Sequence, residues 1–121
     1  MTTLRPPVST GLRISMQVAD GTIILRIAGA VDVITAPILA AHVANSLRTG
    51  AHTLLLDMRR VTSFGPDGCQ VLARAHRTAL PSRLALIADH DAYRHPIEGC
   101  VIPIHRSVDE ALAAHRGRLD A

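Results

Sequence analysis

The sequence predicts an α/β domain: a mixed β-sheet of about four to five strands, opening with a β-hairpin and carrying about four helices. Three observations lead there. The chain begins with two extended segments joined at Asp20-Gly21, a dipeptide suited to a tight hairpin turn. From Thr35 onward, segments of helical spacing alternate with short apolar runs, the order of units that build a parallel sheet. The apolar content, 48% of 121 residues, is almost wholly aliphatic, with one Phe, one Tyr and no Trp. Such a composition suits parallel strands covered by helices.

Leu12 to Val18 alternates, with Leu12, Ile14, Met16 and Val18 on one side and Arg13, Ser15 and Gln17 on the other. Period two predicts a half-exposed strand. Thr22 to Ala28 is the second strand, ended by Gly29. Thr35-Ala36-Pro37 predicts a helix start, a hydroxyl cap followed by proline in the first turn. Leu39, Val43 and Leu47 form its buried stripe, and Gly50 stops it. Thr53 to Met58 is a short, nearly continuous apolar strand, as expected inside a covered sheet. A turn at Phe64 to Gly68 leads to a second helix over Cys69 to Leu80, ended by Pro81. Leu84 to Ala88 is a further buried strand. Asp89 to Glu98 reads as a short helix weakened by Pro96, and Val101 to Ile104 as the last strand. Ser107-Val108-Asp109-Glu110 predicts a capping box, in which hydroxyl and carboxylate each satisfy an orphan backbone N–H. Val108, Ala111, Leu112 and His115 continue at helical spacing. The domain is expected over 12–116, between short tails over 1–11 and 117–121.

Charge and composition set aside several classes. The formal charge is +3, and all thirteen basic residues are Arg. They are scattered, with only Arg59-Arg60 adjacent, and stacking aromatics are nearly absent, which argues against a nucleic-acid partner. No run approaches the ~20 apolar residues of a membrane span. The N-terminus lacks a hydrophobic signal core, so a cytoplasmic location is expected. Seven histidines, at 42, 52, 76, 90, 95, 105 and 115, show no ligand spacing, and neither metal nor other cofactor is expected. There is no G-x-S-x-G elbow, glycine-rich phosphate loop or nucleophile beside a base at a known spacing. The chain reads as a binding protein and not an enzyme.

Three segments together resemble the STAS-domain family, of the anti-sigma factor antagonist type. They are Gly29-Ala30-Val31-Asp32 followed by Thr35-Ala36-Pro37, then Leu54 to Phe64 with its apolar run, Asp57 and Val61, and then Ser107 to Leu112. The resemblance covers about residues 12 to 114 and implies a STAS-like fold. It also implies a bacterial regulator of sigma-factor-dependent transcription, as in stress responses, that binds an anti-sigma factor of the ATP-binding serine-kinase type. The partner-binding rim it implies is Asp32, Asp57, Ser63, Phe64, Gly65, Pro66, Asp67, Gly68 and Cys69. A homodimer is also open. Other STAS roles remain as alternatives: a subunit of a lipid-transport ABC complex, or a small-ligand or nucleotide sensor.

In phosphorylatable members of that family, an Asp-Ser-Ser/Thr-Gly run stands at the tip of the second helix, and the partner kinase modifies the first hydroxyl after the Asp. Here the run is Gly65-Pro66-Asp67-Gly68, so the acceptor position is Pro66, which cannot be phosphorylated. A phosphate at a helix N-terminus is held by free N–H groups and adds nearly two negative charges to a contact surface. Pro66 removes that switch. Asp67 reads either as a permanent charge near the same spot or as an ordinary acidic first-turn residue. Thr62 and Ser63 read as turn hydroxyls or as displaced acceptors. Asp57 lacks the acidic cluster that a receiver-type phosphoacceptor needs for Mg²⁺. Cys69 reads as a small buried hydrophobe or as a helix-start thiol with a lowered pKa. With Cys100 it forms the candidate redox pair, provided the Cα atoms come within about 4.4–6.8 Å.

Overall fold

The computed structural model describes residues 11–19, 21–49, 52–78, 84–89 and 102–120. β1 (Arg13–Ala19) and β2 (Thr22–Val31) form the expected antiparallel hairpin, in unbroken register from Arg13 opposite Ala28 to Ala19 opposite Thr22. Gly21 between them has φ +79°, a conformation in which a side chain is strained. α1 (Ala36–Arg48) carries the chain to β3 (Thr53–Phe64), parallel to β2. α2 (Pro66–Thr78), β4 (Leu84–Ile87), β5 (Ile104–His105) and α3 (Val108–Asp120) follow. The sheet runs β1-β2-β3-β4-β5 and is parallel after the hairpin. The α/β class, the opening hairpin and the mixed five-stranded sheet agree with the sequence reading. Three helices stand among the described residues, where about four were expected; the helix expected from Asp89 to Glu98 lies, beyond Asp89, outside them. So do Gly50 and Pro81, the expected stops of the first two helices.

Strand alternation sorts the apolar side chains onto two faces. Ile23, Leu25, Ile27, Leu54, Leu56, Met58, Leu84 and Leu86 pack with Leu39 and Val43 of α1 and Leu72 and Ala75 of α2. Ile24, Leu55, Ala85 and Ile87 pack on the other face with Ala111, Val108 and Leu112 of α3. Burying each large aliphatic side chain contributes about 1.5–3 kcal/mol. Coverage on both faces is the reason Leu54-Leu55-Leu56 is an unbroken apolar run.

Several boundaries differ from expectation. β2 does not end at Gly29: pairing with β3 shifts between Arg26 and Ala28 and again between Gly29 and Ala30, each time with one extra residue on β3, and runs on to Val31. β3 outruns its apolar stretch. Arg59, Arg60, Thr62 and Ser63 are exposed, yet the strand continues against β2 past the end of β4, with only Val61 of this stretch buried. The expected turn from Phe64 to Gly68 is therefore a strand end and one linking residue, Gly65. α2 begins at Pro66, three residues earlier than read, because proline's fixed φ suits the first helical position. β5 is Ile104–His105 in place of Val101–Ile104. Pro103 has no N–H to give a ladder and pairs only through its carbonyl, which accepts the Leu86 N–H at 2.9 Å. At α3, Ser107 Oγ accepts the Glu110 N–H at 3.0 Å as the capping box requires. The Glu110 carboxylate instead accepts the Arg106 N–H at 2.8 Å, one residue before the expected donor.

Candidate functional site

The loop after β2 is tied down by two side chains. Asp32 Oδ1 accepts the N–H groups of Ile34 at 2.9 Å and Thr35 at 3.0 Å. Thr35 is 1% exposed and does not cap α1 as expected. Its hydroxyl donates to the Ala30 carbonyl at 2.7 Å and accepts the Asp32 N–H at 2.9 Å. The hydroxyl bonds within the loop and makes no bond to the helix's own amides. The N–H groups of Thr35 and then Ile34 hold the Asp32 carboxyl below its ordinary range, against a small opposing effect of burial. The result is a rigid tip that presents two apolar side chains to water: Val33 is 68% exposed and Ile34 67%. Ile38, in the first turn of α1, is also exposed.

The start of α2 stands beside this tip because both are anchored on Val31, which is fully buried. The Gly65 N–H donates to the Val31 carbonyl at 3.0 Å, and the Gly65 carbonyl accepts from Gly68 and Cys69. Pro66 and Gly65 thus open the helix without any side-chain hydroxyl, and Asp67 adds an acidic group to its first turn. Gly68 is buried for a steric reason. A Cβ there would lie 2.8 Å from the Phe64 ring and 2.9 Å from Val31 Cγ1, so the helix seats on Phe64 only through glycine. Between α1 and α2 runs an open groove of about 620 Å³, lined among others by Val33, Ala36, Pro37, Asp67 and Val71. Asp32 with the Phe64–Gly68 segment is therefore one locality, and the groove extends from it.

Asp57 is not part of that locality. It lies inside β3, opposite Arg26 and Ile87, rather than at a strand end, and it shares the face of Leu55 and α3. Its carboxylate is held by Arg59, whose Nε and an Nη donate at 2.9 and 2.8 Å and whose backbone N–H donates at 3.1 Å. Arg26 stands 3.9 Å away. Burial pushes this carboxyl up, but the Arg59 hydrogen bonds and the two guanidinium charges outweigh it, and the balance lies below the ordinary value of 3.8. A carboxyl with a depressed pKa stabilises the fold above its unfolded value and loses that contribution as pH falls through the folded one. Asp57→Asn is therefore expected to cost roughly 1–2 kcal/mol at neutral pH. Denaturant unfolding of the two chains should converge as the medium is acidified below about pH 4. A gap that stays open in strong acid would disprove the ion-pair account.

Ser63 is exposed on β3, opposite Ala30, and Phe64 is half-buried at the strand's end. Cys69 is a partly buried free thiol. Burial pushes it up and its own N–H offsets only part of this, so the lowered pKa expected at a helix start is not found. Cys100, its candidate partner, lies outside the described residues. Val33, Ile34 and Ile38 were missed from sequence. The available signal was an apolar pair between Asp32 and a helix start, a place with no core to enter. Among the described residues no group of three or more metal-ligating side chains stands together, and no helix is long and apolar enough to cross a membrane.

A family model described as the STAS domain matches residues 13–111. No curated protein matches the sequence. Among solved structures, the chain is similar to an anti-sigma factor antagonist from Mycobacterium paratuberculosis, with 24% identity and a TM-score of 0.78 over 87% of this chain and 94% of that one. It is similar to the anti-sigma factor antagonist SpoIIAA in its unphosphorylated form, with 15% identity and a TM-score of 0.67 over 88% and 98%. It is also similar to the Bacillus cell fate determinant SpoIIAA in the phosphorylated form, with 15% identity and a TM-score of 0.63 over 86% and 100%. At these identities the likeness establishes the fold.

Proposed function

This chain belongs to the STAS-domain family, and from that membership we propose that it is an anti-sigma factor antagonist whose docking is not gated by serine phosphorylation. The observation that carries the reading is the pairing of an exposed apolar tip, Val33 and Ile34, with a helix start that offers proline at the acceptor position. Apolar groups held out by a rigid loop are ready to be buried by a partner without an ordering cost. The partner is a cytoplasmic anti-sigma factor of the serine-kinase type, and capturing it frees a sigma factor for transcription. The chain itself performs no chemistry. Asp32, Gly65, Pro66 and Asp67 form the polar border of the contact, and Asp67 contributes a fixed single charge in place of a reversible dianion.

The test is to mix the chain with a serine-kinase-type anti-sigma factor from the same source, and to measure binding before and after incubation with Mg²⁺ and radiolabelled ATP. Tight binding is expected, with no label on this chain and no change of affinity. Pro66→Ser is expected to take up label and then to lose at least about tenfold in affinity, the scale of ~1.4 kcal/mol, as two charges enter the contact. Label on Thr62 or Ser63 of the unsubstituted chain would mean a displaced switch. Absence of binding, with recovery of a transporter ATPase instead, would overturn the reading.

A further inference from the structure

The two edges of the sheet are unlike. β5 is two residues long, whereas β1 has seven and pairs with β2 without a break. Edge strands are usually blunted by shortness, charge, proline or a bulge. β1 has none of these apart from Arg13, its first residue. Two of its side chains, Met16 and Val18, are large, apolar and 51% and 65% exposed. Ile14, on the same face, packs partly on the core.

The hairpin closes on Ala19 and Thr22 across a two-residue connection. In a hairpin of that length the closing pair is hydrogen-bonded, and bonded and non-bonded pairs alternate along the strands. The odd-numbered residues of β1 therefore turn their backbone groups toward β2. The N–H and C=O groups of Ile14, Met16 and Val18 point out along an edge that no other described strand covers.

We propose that this edge pairs with the same edge of a second copy, antiparallel about a two-fold axis at Met16, joining the five strands of each copy into one continuous sheet. Three features select this occupant and this register. Met16 is the midpoint of Arg13–Ala19, so this register alone pairs all seven residues. It sets Met16 beside its own counterpart and Ile14 beside Val18, all positions whose backbone groups face outward, and it covers the exposed apolar side chains. On the other face Ser15 meets Gln17, both neutral and polar, while Arg13 falls at Ala19, so no like charges stand opposite. The contact is isologous and closes on itself as a dimer. It does not depend on the anti-sigma reading.

Sedimentation of the full chain over a wide concentration range tests it. The mass is expected to rise from 12.9 kDa to twice that value with concentration. Met16→Pro removes the outward N–H but leaves the bonds to β2, and Met16→Arg sets two guanidinium groups beside each other at the axis. Both variants are expected to stay monomeric with an unchanged circular dichroism spectrum. A cysteine at the axis stands about 5.5 Å from its counterpart, Cα to Cα, within disulfide range. Met16→Cys should therefore cross-link under mild oxidation well beyond the unsubstituted chain, whereas Val18→Cys, which faces Ile14, should not. A chain that stays monomeric at every concentration overturns the proposal. So do position-16 variants that dimerise like the parent, and so does Val18→Cys cross-linking as readily as Met16→Cys.

Discussion

Ile34→Asp is expected to weaken binding of the anti-sigma partner by about 30-fold or more while leaving the fold intact, and the double change of Val33 and Ile34 to Asp to reduce it beyond detection. A well-packed apolar anchor at the centre of an interface is worth ~2 kcal/mol or more, and 1.4 kcal/mol is tenfold in Kd. A carboxylate in its place adds the cost of burying a charge with no counterpart. Stability should hardly move, because Ile34 is 67% exposed and surface changes of this kind stay within about 0.5 kcal/mol. Asp32→Ala removes the acceptor for the Ile34 and Thr35 N–H groups, so it should weaken binding less, by loosening the tip rather than by changing what it presents. Titration calorimetry with unfolding curves on the same preparations separates these effects. Full-affinity binding by the double variant would place the contact elsewhere on the molecule.

What was legible in the sequence was whatever the core dictates. The Leu54-Leu55-Leu56 run and the stripe Leu39-Val43 follow from burial and found their places, and the alternation from Leu12 to Val18 found its strand although Met16 and Val18 stay exposed. What failed were the segments where hydrogen bonding decides without burial. β3 continues through Arg59, Arg60, Thr62 and Ser63 because β2 supplies ladder partners, and no apolar pattern announces that. This one misreading moved Asp57 from the strand's interior to its end. The candidate site was half legible. The proline at the acceptor position and the neighbourhood of Asp32 to Gly68 were readable from motif order. The outward Val33 and Ile34 were not, because a sequence does not say that the Thr35 hydroxyl leaves α1 to hold the loop.

The backbone at Gly29 is where fold and site depend on one atom, and Gly29→Ala is expected to be the most damaging single-methyl change among the described glycines. Gly29 has φ +110°, and an added Cβ would fall 1.7 Å from the carbonyl oxygen of Gly11 and 3.2 Å from the Cα of Leu12. Both are backbone atoms, so no rotamer relieves the clash. Either β2 must shift at Gly29, or the segment before β1 must move and take Leu12 off the core against which it packs. Backbone strain alone costs about 1–3 kcal/mol, and the displaced packing adds to it, for a total of roughly 3 kcal/mol or more. Against a typical stability of 5–15 kcal/mol this lowers the melting temperature by something on the order of 10–20 °C. Gly11→Ala is the control, since Gly11 also has positive φ, +58°, but nothing lies within 4 Å of its missing Cβ. It carries the conformational cost of about 1–2 kcal/mol without the collision. The register ends two residues beyond Gly29 at Val31, which anchors both the Asp32 loop and Gly65. Gly29→Ala should therefore also weaken partner binding at temperatures where it remains folded, whereas Gly11→Ala should not. Equal unfolding curves for the two variants would show that the strand does not need glycine at position 29, and that the tip is held by its own hydrogen bonds alone.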